Sequence, residues 1–567
     1  MKTLHYKLVT LAEVKSSIDI NTDVAVDFET RGFYGKILLA QFYQRHWDTV
    51  LIVRSPEILE LSAVLKPLKF VAHNINYEVS TLQAQLGEVF ATKCFKWAPY
   101  SFHDTLLLGK LQYWQKESHS LDKCYTYMLG FDPYEAHNLD KKTLQKSDFT
   151  NPNEAQLTYA ALDVFYLLDL LDACKTWQDS QCYQLDVLAT AHAFNFQTNG
   201  FAIDAKRIKE RIKENNQKIS DLAVPINVNS WQQVRPYIGE PESDGYHLAL
   251  YTVRDGNERA KAVQTSRKLI KENSFLTKYL EESFEGRIFG KFAFITKSGR
   301  GNCNGQNLQQ LPRSTKTMFS APEGRVLVLS DFAQLELRYV CALVGEIRMS
   351  KMFKDGHDLH DFVKDLMEVE RQYAKTCNFN LVYGGSANML QSIFLTTGGA
   401  WLELSFVKEL KAKWSALWPE LIAWQTQVIK DWKAKKPLCT LLGRKMKAKL
   451  YTDALNLPVQ GGSTGDISKL ALHKMLTKVE NLPDLKDRVL FVNFIHDSFM
   501  WECDNDPVVY KKLAQITAES MQEAWTALVS YTLVPDLPMP VDVQVGLNWG
   551  DIEYEIEKPI YTLNLEG

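Results

Sequence analysis

In the run AVDFET, Asp27 and Glu29 stand two residues apart on a predicted strand. That spacing projects both carboxylates from one face. Paired carboxylates repel, and a divalent cation relieves the repulsion. In TYAALDVFYLLDLL, Tyr159 and Asp163 are four apart on one helical face, where the tyrosine could orient a water and the aspartate could join the metal ligands. VAHNINYEVSTL lies between them and adds Asn74, Tyr77 and Glu78. These residue types suit metal-assisted hydrolysis. A second set begins where the strand VLVLSD feeds FAQLELR, with Asp331 at the strand end and Gln334 and Glu336 behind it. In ERQYAKTCNFNLVYGG, Arg371, Lys375, Phe379 and Tyr383 recur every four residues. Two cations then two aromatics make an odd core stripe, because buried Arg and Lys need partners. A triphosphate on the cations and a base on the rings explains the order. The third piece is VNFIHDSFMW, where a strand-pair turn offers Asp497 beside His496 and Ser498. Asp331 and Asp497 meeting across a sheet would hold two metal ions, fit for in-line phosphoryl displacement with Lys375 at the leaving group.

Positioning these groups requires two units. Residues 23–54 alternate short apolar runs with turns, and residues 78–187 are mostly helical in pattern, which together predict a small α/β domain. A charged helix follows over 204–220, strands return at 288–296 and 325–332, helices run from about 335 to 435, and a strand pair surrounds 490–503. This predicts a larger α+β domain with a boundary near 180–200.

The chain has 567 residues, 46% of them apolar, and a net charge of −3, so three or four cores are expected and nucleic-acid binding is not advertised by the average. Locally, Phe406–Leu450 holds eleven Lys/Arg against three Asp/Glu, interleaved with Trp414, Trp418, Trp424 and Trp432. This is either an amphipathic face with most tryptophans in the core or a phosphate-tracking surface. Nine cysteines are scattered singly with no CxxC pair, a pattern of reduced thiols that argues against zinc. No apolar run approaches a membrane span, and the N-terminus has no signal-peptide core, so a cytoplasmic protein is expected.

The first set resembles, in order and spacing, the three motifs of the proofreading 3′→5′ exonuclease superfamily, with SHSLDKCYTYMLG similar to the stretch joining its second and third motifs. One departure is Glu78, where the second motif usually supplies Asp. With DFAQLELR, RQYAKTCNFNLVYGG and IHDSF in that order, the whole chain resembles a family A DNA polymerase. SGRGNCNGQNLQQLP, NLPVQGGSTGD and the ending VQVGLNWGDI carry the likeness further.

The resemblance implies an α/β RNase H-like exonuclease domain over 1–185. A right-hand α+β polymerase domain would follow over 186–567, with thumb about 200–295, palm 296–344 and 441–567, and fingers 345–440. It implies that Asp331 and Asp497 bind two Mg²⁺ ions, and that Asp27, Glu29, Glu78 and Asp163 bind two more, Mn²⁺ being able to substitute. Arg371, Lys375 and His360 would grip the triphosphate, Phe379 and Tyr383 would shape the base-pair pocket, Gln334 would help close it, and Glu336 would exclude a ribose 2′-hydroxyl. Arg300, Asn307, Gln309, Asn456, Gln460 and His496 would contact DNA. Ser498 replaces the family's usual Glu, an outer group whose loss is compatible with metal binding.

Primer-template DNA and dNTPs are the implied partners of a monomer, with replisome proteins such as a helicase or single-strand-binding protein beside it. No room remains before Asp27 for a 5′-nuclease domain, which points to a phage replicative enzyme working in a host bacterial cytoplasm. Three alternatives stay open: a polymerase with a silent exonuclease site, a single-subunit RNA polymerase, against which Glu336 stands, and a non-catalytic DNA-binding module.

Overall fold

The computed structural model describes residues 2–32, 34–90, 101–554 and 560–566. The first unit is a six-stranded mixed sheet in the order Tyr6–Leu8, Val50–Arg54, Ile37–Tyr43, Asp23–Thr30, Lys69–Ala72, Ser101–Asp104. Val24, Val26 and Phe28 enter one apolar core, while Ala25 enters a second on the opposite face, shared with the helix Glu154–Phe165. Strand alternation therefore aims Asp27 and Glu29 at that helix. The central strand Ile37–Tyr43 is buried along its whole length, so the carboxylate-bearing strand beside it rests on a rigid neighbour.

The second unit is built on a five-stranded antiparallel sheet in the order Val489–Ile495, Ser498–Asp504, Arg325–Phe332, Val541–Gly546, Tyr561–Leu565. The helix Pro507–Val529 packs on this sheet and against Ser468–Glu480. Residues 347–433 form a stack of helices, and a long helix pair, Ala205–Asp221 with Glu258–Glu282, is rooted in the core of the second unit through Ile208, Leu276 and Tyr279, while Ala260 and Val263 join a small separate core with Val228, Val234 and Leu248. At its far end, Ala249 and Leu250 meet Leu395 of the helical stack.

The expected division at 185/186 falls inside a continuous helix, Gln181–Phe196. No loose linker separates the units there, because this helix is shared. Cys182 and Tyr183 belong to a core of the first sheet, whereas Ala189, Ala193 and Phe196 belong to the core of the second unit. Four buried charges pin it. Arg444 Nη2 donates to Asp186 Oδ1 at 2.7 Å, Lys469 Nζ donates to the same oxygen, and Asp466 lies 3.9 Å from Arg444 and 3.6 Å from Lys469. Removing one partner of such a set strands a buried charge and costs about 3–5 kcal/mol.

Eight cysteines among the described residues are free thiols, all buried except Cys439, while Cys94 lies outside the described residues. Trp414 and Trp418 are fully buried, which fits the core reading of those two. Among the described residues, no helix is long and apolar enough to cross a membrane.

Candidate active sites

At the first centre, carboxylate oxygens of Asp27, Glu29 and Asp163 lie within 4.8 Å of one another. The strand supplies two and the helix Glu154–Phe165 the third, its N-terminus fixed by an Asn153–Gln156 capping box. Desolvation by the surrounding protein, then the charge of Asp163, holds Asp27 and Glu29 well above the usual carboxylate range. Asp163 is pushed up to about 6, again chiefly by desolvation. Glu29 Oε1 is buried without a hydrogen-bond partner. Three crowded carboxylates with an orphaned oxygen form the all-oxygen donor set that a hard divalent cation takes.

Glu78 is 1% exposed, and Oε2 of its carboxylate has no partner. Desolvation and the nearby Asp27 charge raise its carboxyl well above normal. It stands close to the triad without joining the three oxygens that converge. The loop before it is held by Asp104, which accepts from the backbone N–H of Asn74 at 3.0 Å and of Ile75 at 3.2 Å while Asn74 adopts φ 76°.

Sequence reasoning missed Asp104, and it missed Tyr134, whose hydroxyl donates to Asp163 Oδ1. Tyr134 also packs in a tilted arrangement against Tyr159, with ring centroids 5.5 Å apart. Neither residue has a spacing relation to the motifs that could have revealed it. Together with Lys141 and Lys142, Tyr134 and Tyr159 line a cleft of about 1050 Å³ that also reaches Asp27 and Asp163.

At the second centre, the register pairs Asp331 with Ser498, so the turn His496–Asp497 lies beside the end of the Asp331 strand. His496 takes φ 56° to make that tight turn. Desolvation, then the charges of Asp331 and Glu336, pushes Asp497 well above the usual carboxylate range, while Arg300 opposes this. Asp331 is pushed up to about 6 by the protein around it. Two aspartates with a glutamate nearby again suit a divalent cation.

Ser498 Oγ donates to Asp331 Oδ1 at 2.7 Å, an outer contact that orients a candidate metal ligand. A hydrogen bond to a charged acceptor contributes about 1.5–3 kcal/mol. Ser498→Ala is therefore expected to lower kcat/KM for incorporation by about ten-fold, read from single-nucleotide extension with hydrolysis of a short single strand as the internal control.

The cation–aromatic stripe is outside the core. Arg371 and Lys375 are exposed, and Phe379 is 39% exposed, on the helix Arg371–Leu381. The stripe leaves that helix before its last member, because Tyr383 follows the C-cap Val382 and Gly384 turns the chain at φ 73°. The departure lets the Tyr383 hydroxyl donate to Glu336 Oε2. Arg371 pairs with Asp361 at 2.9 Å and Asp358 at 3.1 Å, and Gln334 Nε2 donates to Asp358 Oδ2 at 2.8 Å. Any triphosphate reaching Arg371 must displace these carboxylates. Lys375 carries no ion pair among the described residues. His360 is buried, with Nδ1 2.9 Å from Asn378 Nδ2, and burial holds its imidazole down at about 4.

Of the expected DNA contacts, Arg300 and Gln309 lie near the His496–Asp497 turn. Arg300 influences both Asp497 and His496. The Gln309 side chain donates to the Phe494 carbonyl at 2.9 Å, and Asn307 Oδ1 accepts from the Gln309 N–H at 3.1 Å. Asn456 and Gln460 share the helix Tyr451–Gln460, which runs directly into a π-helical turn, Gly461–Ile467. A Cβ on Gly462 would collide with the Tyr339 hydroxyl, so the turn can lie against the helix Leu335–Val344 only as glycine.

These two acidic centres, one on a nuclease-like sheet and one on an antiparallel palm, define a nucleic-acid polymerase with a nuclease domain attached. The family model "DNA polymerase family A" matches residues 201–551, and the model "3'-5' exonuclease" matches residues 5–176. DNA polymerase I of Aquifex aeolicus is 26% identical over 580 aligned residues, covering 92% of this chain and 95% of that protein. The thermostable DNA polymerase I of Thermus thermophilus is also 26% identical, over 60% of this chain and 44% of its own length. The polymerase domain of M. smegmatis Pol1, solved in complex with DNA primer-template and dNTP, superposes with a TM-score of 0.73 at 19% identity, covering 94% of this chain and 96% of that one.

The chain belongs to DNA polymerase family A and carries a 3′–5′ exonuclease domain. These relatives are bacterial and lend no support to a phage origin.

Proposed function

We propose that residues 186–567 extend a primer 3′-hydroxyl with dNTPs on a DNA template, and that residues 1–185 remove mispaired 3′ ends. The observation that carries the reading is the convergence of Asp331 and Asp497 with Glu336, which Tyr383 ties to the end of the segment bearing the exposed Arg371, Lys375 and Phe379. Asp331 and Asp497 would hold two Mg²⁺ ions, and Asp27, Glu29 and Asp163, with Glu78 behind them, would hold the ions of the nuclease. Bound cations supply Lewis-acid activation of the attacking hydroxyl or water and neutralise charge on the transferring phosphoryl oxygens.

The primer O3′ attacks the α-phosphorus, the bond to the β,γ-diphosphate breaks, and pyrophosphate leaves. Lys375 supports that departure, placing a positive charge and a proton at the leaving oxygens. Arg371 orients the triphosphate once it exchanges Asp358 and Asp361 for phosphate. Phe379 stacks on the incoming base, and Arg300 and His496 steady the primer end. At the nuclease centre, Tyr159 orients the attacking water, and Tyr134 fixes the Asp163 carboxylate through its hydroxyl.

Glu336, braced by Tyr383, fills the space a ribose 2′-hydroxyl would need. Glu336→Ala is expected to reduce discrimination against ribonucleotides on the order of 10²-fold, with Tyr383→Phe giving a smaller loss. Competition between rNTP and dNTP at a single template position measures it. A wild-type enzyme that takes both equally would remove Glu336 from this role. The reading as a whole is tested by primer extension in Mg²⁺, and by primer shortening when nucleotides are withheld.

A further inference from the structure

Two lobes of the second unit touch at a point that neither acidic centre requires. The helix Gly245–Val253, near the tip of the arm formed by Ala205–Asp221 and Glu258–Glu282, has two apolar faces. Leu248 and Tyr251 enter the arm's own small core with Val234, Ala260 and Val263. Ala249 and Leu250 are instead buried with Leu395 of the helix Ala387–Thr396. That helix is two-faced as well. Leu390 and Phe394 serve the main core of the second unit, whereas Leu395 belongs to the contact with the arm. Tyr246 and Trp401 pack at the edge of the seam, with the Arg254 guanidinium 5.7 Å from the Trp401 ring centroid.

The contact closes a circuit whose floor is the second acidic centre. At the arm's root, Ser314 Oγ donates to Glu272 Oε2 at 2.6 Å, and Gln309, five residues before Ser314, reaches the Phe494 carbonyl beside the His496–Asp497 turn. Asp497 feels the charge of Glu336, and Glu336 accepts from Tyr383, which leads through Gly384 into the helix Ala387–Thr396. The seam then returns the circuit to the arm. From Tyr279 at the root back to Ala260 near the tip, the long helix rises about 28 Å, so the seam stands well clear of the floor. Leu250 and Leu395 are shielded from water only because the two lobes meet, which favours closure. Apolar packing and a cation–ring pair hold the seam, so it can part without stranding a buried charge.

We propose that the arm and the helical stack form a closed ring around primer-template DNA, with the Leu250–Leu395 seam as its gate. The inference rests on the reading of residues 186–567 as a DNA polymerase. The seam parts to admit the DNA and closes over it, so the DNA leaves by sliding to an end or by a second opening. Enclosure holds the product between successive additions without a separate partner, and it is indifferent to sequence because no base is read.

The test uses the full chain carrying Leu250→Cys/Leu395→Cys, with exposed Cys439 changed to Ser and each single-cysteine variant as a control for other thiols. A short bis-maleimide joins the two thiols, each adding across one maleimide double bond. Linked before DNA is added, the enzyme is expected to lose extension of a primed single-stranded circle and to keep extension of a linear primer-template, whose end can thread the ring. Linked after loading, it is expected to stay on the circle through a high-salt wash and to come off once the circle is cut. Leu395→Asp, which holds the seam open, is expected to shorten the product made per binding event by about ten-fold, the order of exposing one leucine, with single-nucleotide incorporation unchanged. Failure of the two cysteines to link in the free protein overturns the seam. Equal extension of circle and line by the pre-linked enzyme, or loss of both, overturns the ring. An unlinked wild-type enzyme that extends neither template overturns the polymerase reading, and the ring with it.

Discussion

Asp497→Ala is expected to stop nucleotide incorporation, by at least about 10³-fold, while the chain still hydrolyses a short single strand. The two-residue turn carries its carboxylate at this point, with Asp331 on the adjoining strand pair and Glu336 adding to the same field. Losing Asp497 removes the carboxylate that faces Asp331 from the turn, and with it the protein oxygens needed to place two cations for in-line transfer. The nuclease centre sits on another sheet and keeps all its carboxylates. Asp497→Asn serves as the companion variant, since it keeps the shape and removes only the charge. Extension of a matched primer, with trinucleotide hydrolysis from the same preparation, gives both readings. Normal extension by either variant would sink the assignment of this centre.

The second large effect lies at Asp27. Asp27→Asn is expected to abolish primer shortening and, in EDTA, to raise the melting temperature. Three carboxylates within 4.8 Å with no cation among them repel one another. Removing one charge relieves on the order of 1–3 kcal/mol at an effective dielectric of about 20. In saturating Mg²⁺ the order should reverse, because ligand binding to the folded state stabilises the wild type and not the variant. Thermal unfolding of both proteins in EDTA and in Mg²⁺ measures the crossover. Parallel curves under the two conditions would mean that the three oxygens do not share a cation.

Most of what carries chemistry was legible because it obeys short-range periodicity. Asp27 and Glu29 follow the strand period of two, Tyr159 and Asp163 follow the helix period, and Arg371, Lys375 and Phe379 keep one exposed helix face. What escaped depends on contacts between distant segments. Tyr134 reaches Asp163 from 29 residues away, and Ser498 reaches Asp331 from 167. Neither separation leaves a local pattern. Tyr383 marks the limit of the periodic reading: it keeps the count of four but leaves the helix, and its useful partner, Glu336, is visible only in three dimensions. The join between the units is hidden for a related reason. Composition shifts locate a change of core, yet the helix Gln181–Phe196 serves both cores and has no loop to mark the join.

That shared helix also acts as a measuring stick. With Asp186 paired to Arg444 and Lys469, a swing of the nuclease unit toward a primer would break buried ion pairs, so the fold sets the span a strand would have to cross. The DNA alone must yield the slack, by opening a set number of terminal pairs. Each stacked step resists opening by about 1.4 kcal/mol, roughly ten-fold in population, so a fixed span turns duplex stability into an exponential filter. A correct end is retained because it is stacked along the whole interval, and an incorrect one is released because part of that interval is already open.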